Sequence, residues 1–338
     1  MKLVFDIASS MEFWRQRYPL DRTPTAPRPI SLDVYANRCA TKKRDIAKLL
    51  PDWADSPFLA PMGGVFHALS FDRSQCRQLK SMAVHSWSGN VPEGSFYELD
   101  GGILIESPAF MFLHAATVLD FTSLIAFGDE LCGLYSFDVR EKRGFRRRKQ
   151  PLIAREALAN YLARAGGCQG KNLATRALPY VVDSSASPME TFDEMTMCLP
   201  RMRGGYGLPQ PAMNHEVSLT ERAARVARRR KCYLDMGYPG AMLDVEHHGK
   251  LDHTSDEEKA RDFERVGGLR EMGYEVIELT WAQISDPVAY EIIIERIARI
   301  VGKRLTKQVL GANAERTQLR KTILNWNASS GQLRPGRR

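Results

Sequence analysis

The stretch "CYLDMGYPGAMLDVEHHGKLDH", Cys232 to His253, decides the fold and is also the most heavily titratable run of the chain. Tyr238-Pro239-Gly240-Ala241 reads as a tight turn, because proline presets one turn dihedral and glycine accepts the next. A turn centred on Pro239-Gly240 sets Leu234 opposite Val245 and Met236 opposite Leu243. Alternation along the strands then gives an apolar face carrying those four residues and a titratable face carrying Tyr233, Asp235, Asp244, Glu246 and His248. On that second face Asp235 and Glu246 become diagonal cross-strand neighbours, about 7–8 Å apart at Cα.

Two carboxylates so placed suit one small hard cation. Oxygen ligands hold Mg²⁺, which neutralises a phosphate and acidifies a bound water, and a nearby imidazole can orient or deprotonate that water. His248, two residues after Glu246 on the same face, fits the role, and His253 is a second candidate. A rival reading gathers His247, His248 and His253 with a carboxylate around zinc, but alternation points His247 to the opposite face. The bland alternatives are a solvated turn carboxylate for Asp235 and ordinary core or surface histidines.

Asp235, Glu246, the run Glu246-His247-His248-Gly249 and His253 resemble the core of the PD-(D/E)XK nuclease superfamily, in its branch similar to very-short-patch repair endonucleases. The chain departs from those repair enzymes in carrying Glu246, which they lack. Upstream, "SPMETFDEMTMCLPRMRGGYGLPQPAMNHEV" resembles the family's opening helix, whose glutamate is Glu190, followed by entry to the first strand. Downstream, "TSDEEKARDFERVGGLREMGYEVIELTWAQISDP" reads as a helix capped at Thr254 or Ser255 and a strand over 274–280. The resemblance implies an α/β restriction-endonuclease-like core with a mixed central sheet flanked by helices, and an Mg²⁺- or Mn²⁺-dependent endonuclease. In that reading Asp235 and Glu246 hold the metal, His248 or His253 acts on water, and Glu190 assists.

The first half lies outside that pattern. "GVFHALSF", "MAVHSW" and "SFYELDGGILIES" alternate as short strands, and helical periodicity follows over "PAFMFLHAATVL", "FTSLIAFGDELCGLY", "LIAREALANYLARA" and "KNLATRALPYVV". The segment "GSFYELDGGILIESPAFMFLHAATVLDFTSLIAFGDELCG" resembles part of the AbiEi-type antitoxin and regulator family, although no helix-turn-helix pattern precedes Pro51. The expected organisation is an α+β domain over 1–183, the endonuclease-like domain over 184–305, and a C-terminal helix with a basic tail over 306–338.

Composition sets the context. The 338 residues carry a formal charge of +8, which favours a polyanionic partner over an acidic small molecule. Charge is concentrated in "REKRGFRRRKQ", from Arg140, and in "RAARVARRRK", which ends on Arg228, Arg229, Arg230 and Lys231 and leads into the Asp235 strand. With Arg261 on the following helix, the second run is the expected phosphate-binding surface, whereas the first reads equally well as a solvated loop. The six cysteines form no C-x-x-C pair, which argues against a zinc ribbon or disulfide framework and fits a reducing cytoplasm. Neither a signal peptide nor a membrane-spanning run is evident. Two functions remain open: a DNA endonuclease in repair, phage defence or a toxin–antitoxin setting, with a toxin or defence-system partner, and a non-catalytic DNA-binding regulator that keeps the nuclease fold.

Overall fold

The computed structural model describes residues 3–17, 28–30, 42, 44, 65–80, 82–99, 102–248 and 256–328. The chain is mixed α/β and divides into two units, Met1–Val181 with Trp326–Arg338, and Val182–Asn325. Among the described residues no helix is long and apolar enough to cross a membrane.

The first unit is built on short strands whose alternating apolar positions meet in one core. β1 (Leu3–Val4) pairs in parallel with β7 (Ile103–Glu106), which is antiparallel to β6 (Phe96–Leu99), itself antiparallel to β2 (Arg28–Ile30). A second sheet runs β3 (Phe66–Ser70), β5 (Met82–Ser86), β4 (Arg77–Leu79), with β3 and β5 parallel. Leu3, Phe5, Phe66, Ala68, Met82, Val84, Ile103 and Ile105 form one buried cluster across the two sheets. Parallel strands cannot be joined by a tight turn, so the chain between β1 and its partner passes through α1 (Ile7–Arg17) and the second sheet.

The helices of this unit begin where side chains satisfy the free amides of the first turn. The Ser107 hydroxyl accepts from the Phe110 amide at the start of α2 (Pro108–Ala115), with proline in its first turn. Asp120 accepts from Thr122 and Ser123 at the start of α3 (Phe121–Cys132). α4 (Arg155–Arg164) and α5 (Lys171–Ala177) follow. All eight residues of α2 are buried, as a helix apolar all round except for His114 requires.

The basic run after Phe137 is a solvated turn only in its first part, where Arg140, Lys142 and Arg143 are exposed. Phe145–Arg147 forms β9, paired with β8 (Tyr135–Phe137), and Arg148 is buried, donating to the carbonyls of Glu130 and Gly133. Arg15 is likewise buried, in a two-pronged bond to Glu130 at 2.8 and 2.7 Å. Some of the positive charge in this half therefore fastens the fold.

The second unit opens with α6 (Pro188–Cys198), capped by Ser187. Its sheet runs β10 (Ala212–Ser218), β11 (Lys231–Tyr238), β12 (Leu243–His248), β13 (Glu275–Thr280), the first two pairings antiparallel and the last parallel. α7 (Glu221–Ala227) joins β10 to β11, and α8 (Asp256–Glu271) makes the crossover from β12 to β13 that a parallel pair demands. Val217, Ala227, Cys232, Leu234, Leu269 and Tyr274 pack together between these helices and the sheet. α9 (Trp281–Ser285), α10 (Pro287–Ile300), α11 (Lys307–Leu310) and α12 (Asn313–Ala328) complete the chain. The strand expected over 274–280 is β13, and the helix expected from Thr254 or Ser255 is α8; both capping candidates lie outside the described residues.

The central turn differs from the two-residue form expected. Pro239–Ala241 makes a single 3₁₀ turn and Met242 takes a left-handed conformation, φ +49°, so that the closing pair is Tyr238 with Leu243. Met236 consequently faces Val245 and Gly237 faces Asp244, a shift of two residues from the expected register.

Candidate functional site

β12 carries the chemistry, and its two faces hold different groups. Asp244 and Glu246 alternate with Val245 and His247, and each set meets a different helix. Glu246, almost fully buried, is gripped by Arg265 of α8: its two oxygens accept from the two terminal guanidinium nitrogens at 2.6 and 2.5 Å. Arg265 also bonds Asp262 at 2.8 Å and the Tyr233 carbonyl at 3.3 Å. Burial disfavours its charge, but the bonds to Glu246 and Asp262 outweigh this and hold the guanidinium firmly protonated.

Asp244 lies beside this pair, wholly buried, and neither of its oxygens has a hydrogen-bond partner in its ionised form. Burial first, then the neighbouring charges of Glu246 and Asp235, push its carboxyl far above the ordinary range. The neutral acid can donate its proton to Glu246. A single arginine thus stands against a crowded pair of buried carboxyl groups.

His247 projects to α6. Its Nδ1 lies 2.7 Å from Oδ2 of the fully buried Asp193. Burial lowers the imidazole's affinity for a proton, but the hydrogen bond and charge of Asp193, followed by the charges of Glu190 and Asp235, leave its pKa raised. Asp193 itself is raised because burial outweighs its contact with His247. The hydrogen bond between Asp193 and His247 thus ties α6 to the end of β12, an inner strand of the sheet.

The residues singled out from sequence fall as follows. Glu190 sits in the first turn of α6, accepting from the Ala186 amide at 2.8 Å while its own amide donates to Ser187, and its charge reaches His247. Asp235 is half-buried on β11, and its charge acts on both His247 and Asp244. The alternation assumed for β11 is broken here: a Cβ on Gly237 would fall 2.5 Å from Leu234 Cδ1, so residues three apart meet on one face. The facing strand is irregular too, with Asn214 at φ +47°. Glu246 is present but engaged by arginine. His248 ends β12, and its side chain, like all of His253, lies outside the described residues.

Three of the five expected phosphate-binding cations have acidic partners within the unit. Arg228 pairs with Glu264 at 3.1 Å, Lys231 with Glu216 at 2.6 Å and Arg261 with Glu257 at 3.5 Å. The Arg229 side chain donates to the carbonyls of Ala227 and Arg261, and Arg230 is exposed. Exposed pairs of this kind contribute little stability and yield readily to a phosphate.

Sequence reasoning passes over Asp193 and Arg265 as partners for the strand. It also misses a second titratable cluster in the first unit. Among the described residues, the sets of three or more His, Cys, Asp or Glu donors that converge within 4.8 Å are Asp6 with His67 and His85, and Asp6 with Glu106 and His114. These residue groups could hold a metal ion. The one sequence signal is an acidic or imidazole side chain inside otherwise apolar runs, in "LVFDIA", "VFHALSF" and "MAVHSW".

The chain matches no protein-family model, and comparison with characterised proteins and with solved structures likewise gives no match.

Proposed function

We propose that the second unit is an Mg²⁺- or Mn²⁺-dependent endonuclease-type domain with a restriction-endonuclease-like core, hydrolysing phosphodiester bonds of DNA. The observation that carries this reading is His247, tied to a buried aspartate and subject to the charges of Glu190 and Asp235. Carboxylates beside an oriented imidazole are the side chains that phosphodiester hydrolysis requires. The donor set suits a hard divalent cation, because Mg²⁺ keeps several waters and needs one or two protein carboxylates. Asp244, a buried carboxyl with neither oxygen hydrogen-bonded when ionised, is a further sign of an acidic site short of positive charge.

A bound divalent ion would supply charge neutralisation at the phosphate and a more acidic water. Asp235 and Glu190 would hold it through carboxylate oxygen. Asp193 fixes the imidazole tautomer by accepting from Nδ1, which leaves Nε2 of His247 to take a proton from water. His247 is the imidazole given this part here, the side chains of His248 and His253 lying outside the described residues, and Glu246 braces the strand through Arg265. The resemblance of the first half to antitoxin and regulator proteins supports a setting in repair, phage defence or a toxin–antitoxin pair, with a cytoplasmic location.

One observation favours a second reading. Arg265 occupies both oxygens of Glu246, as in a scaffold that has exchanged a cation for an arginine, and this supports a non-catalytic DNA-binding regulator. Incubating the full chain with supercoiled DNA and Mg²⁺ or Mn²⁺ separates the two. The endonuclease nicks or cuts, and Asp235→Asn or His247→Gln abolishes cutting while the far-ultraviolet spectrum is kept. Cutting by both variants at the parental rate sinks the assignment. Metal-independent gel shifts without any cleavage establish the regulator.

A further inference from the structure

The first unit places five metal-ligating side chains around the end of β1, and backbone bonds fix most of them. Asp6 follows β1 and precedes α1. Its amide donates to the His67 carbonyl at 3.1 Å, Phe5 bridges Ala68, and the His67 amide donates to the Ser9 hydroxyl at 3.0 Å. The start of α1 is thereby stapled to β3. The parallel register of β3 with β5, Leu69 beside His85, brings the second imidazole alongside the first. Glu106 ends β7, next to β1, and is held by its amide bond to the Ser10 hydroxyl at 3.0 Å.

The spacings have the dimensions of a coordination shell. His67 Nδ1 and His85 Nε2 lie 3.0 Å apart with rings nearly parallel, and His85 Nε2 is 3.9 Å from Asp6 Oδ2. Ligands at about 2.0–2.1 Å from a tetrahedral ion sit about 3.3 Å from one another. Behind Asp6, His114 Nδ1 is bonded to Glu106 Oε1 at 2.9 Å and His114 Nε2 stands 3.8 Å from Asp6 Oδ1. On this inner side Asp6 Oδ1 and Glu106 Oε2 are both buried with no hydrogen-bond partner, whereas Oδ2 is the oxygen turned to His85. Two carboxylates packed together out of water are costly to bury, and a divalent ion on Asp6 offsets part of that cost.

We infer that Asp6, His67 and His85 bind a late first-row divalent metal of the Zn²⁺ class, with the Glu106–His114 pair buttressing Asp6 from behind. Two imidazoles and one carboxylate are the donors such ions prefer, whereas Mg²⁺ and Ca²⁺ take oxygen. Asp6 is buried while His67 and His85 are half-buried, so the fourth coordination position opens on the histidine side. Three protein ligands and one free position is the arrangement of a reactive zinc site. A carboxylate–histidine pair behind the ligand is the outer support that fixes its orientation.

The test uses the full chain, dialysed after loading with Zn²⁺ or with Co²⁺ as a spectroscopic probe. The expected result is about one ion per chain, visible ligand-field bands for Co²⁺, and X-ray absorption showing two imidazole nitrogens in the first shell. His67→Gln with His85→Gln removes the ion, and Asp235→Asn, in the other unit, leaves it in place. A wild-type chain that retains no stoichiometric metal overturns the inference, as does a folded double variant that binds Zn²⁺ as tightly as the parent. Should the double variant not fold, the wild-type X-ray absorption decides: a first shell lacking imidazole nitrogen refutes the site.

Discussion

Replacing Arg265 by alanine offers the sharpest test of how β12 is held. Its guanidinium meets Glu246 through two short bonds, with the glutamate side chain 3 % exposed and the arginine 16 % exposed. Removing one partner of a buried pair leaves an uncompensated charge and costs about 3–5 kcal/mol. Because Asp262 shares the guanidinium from a partly exposed position, the lower end applies. The expected loss is about 3 kcal/mol, or roughly a hundredfold in the folded-to-unfolded ratio. The double variant Arg265→Met with Glu246→Gln removes both charges and should lie within about 1.5 kcal/mol of the parent, because isosteric neutral replacement of a buried pair is often harmless. Urea unfolding followed by circular dichroism measures the parent, Arg265→Met, Glu246→Gln and their double variant as the four corners of a cycle, with Arg265→Ala beside them. If Arg265→Ala costs less than about 0.5 kcal/mol, or the two single losses simply add, the pair is not the brace described here.

His247→Gln should cost about 1.5–3 kcal/mol, the worth of a buried hydrogen bond to a charged group. The loss should depend on pH. Because the folded-state pKa of His247 is raised, its contribution is complete below about pH 6.5, the unfolded value, and is lost as pH rises through the folded value. Parent and variant should therefore converge in stability towards alkaline pH, and a gap that widens between pH 6.5 and 9 would contradict the direction of the shift. Neutralising Arg228, Arg230 and Lys231 together should weaken DNA binding and lower its salt slope by about 0.9 for each phosphate that no longer meets a cation. An unchanged slope would remove that surface from the interface.

Local signals carry much of the fold. The strands β3, β5, β6 and β7 stand out as alternating apolar runs, and Ser107, Asp120 and Ser187 announce their helices as hydroxyl or carboxylate caps before apolar periodicity. What the sequence hides is non-local or conformationally unusual. Met242 in the left-handed region has no sequence signal, since glycine or asparagine is the ordinary occupant. The partners of the acidic strand lie far along the chain, Asp193 on the helix before the sheet and Arg265 on the helix after β12, and helical periodicity does not say which strand residue each will meet. The same holds for Asp6, His67, His85, Glu106 and His114, which come from separate elements and are joined by backbone bonds that sequence pattern cannot foresee. Asp235 is legible as a functional candidate, whereas the break in alternation beside it is not.

The longer turn at Pro239–Met242 has an outcome for how this domain tolerates change in length. It adds two residues to the simplest connection, so every inward side chain of β12 stays inward. The hairpin therefore behaves like a two-beat rhythm: insertions or deletions in pairs leave the beat intact, while a single extra residue would exchange Glu246 for His247 all along the strand. Homologues and engineered loop libraries that retain this strand's chemistry should differ here by even steps.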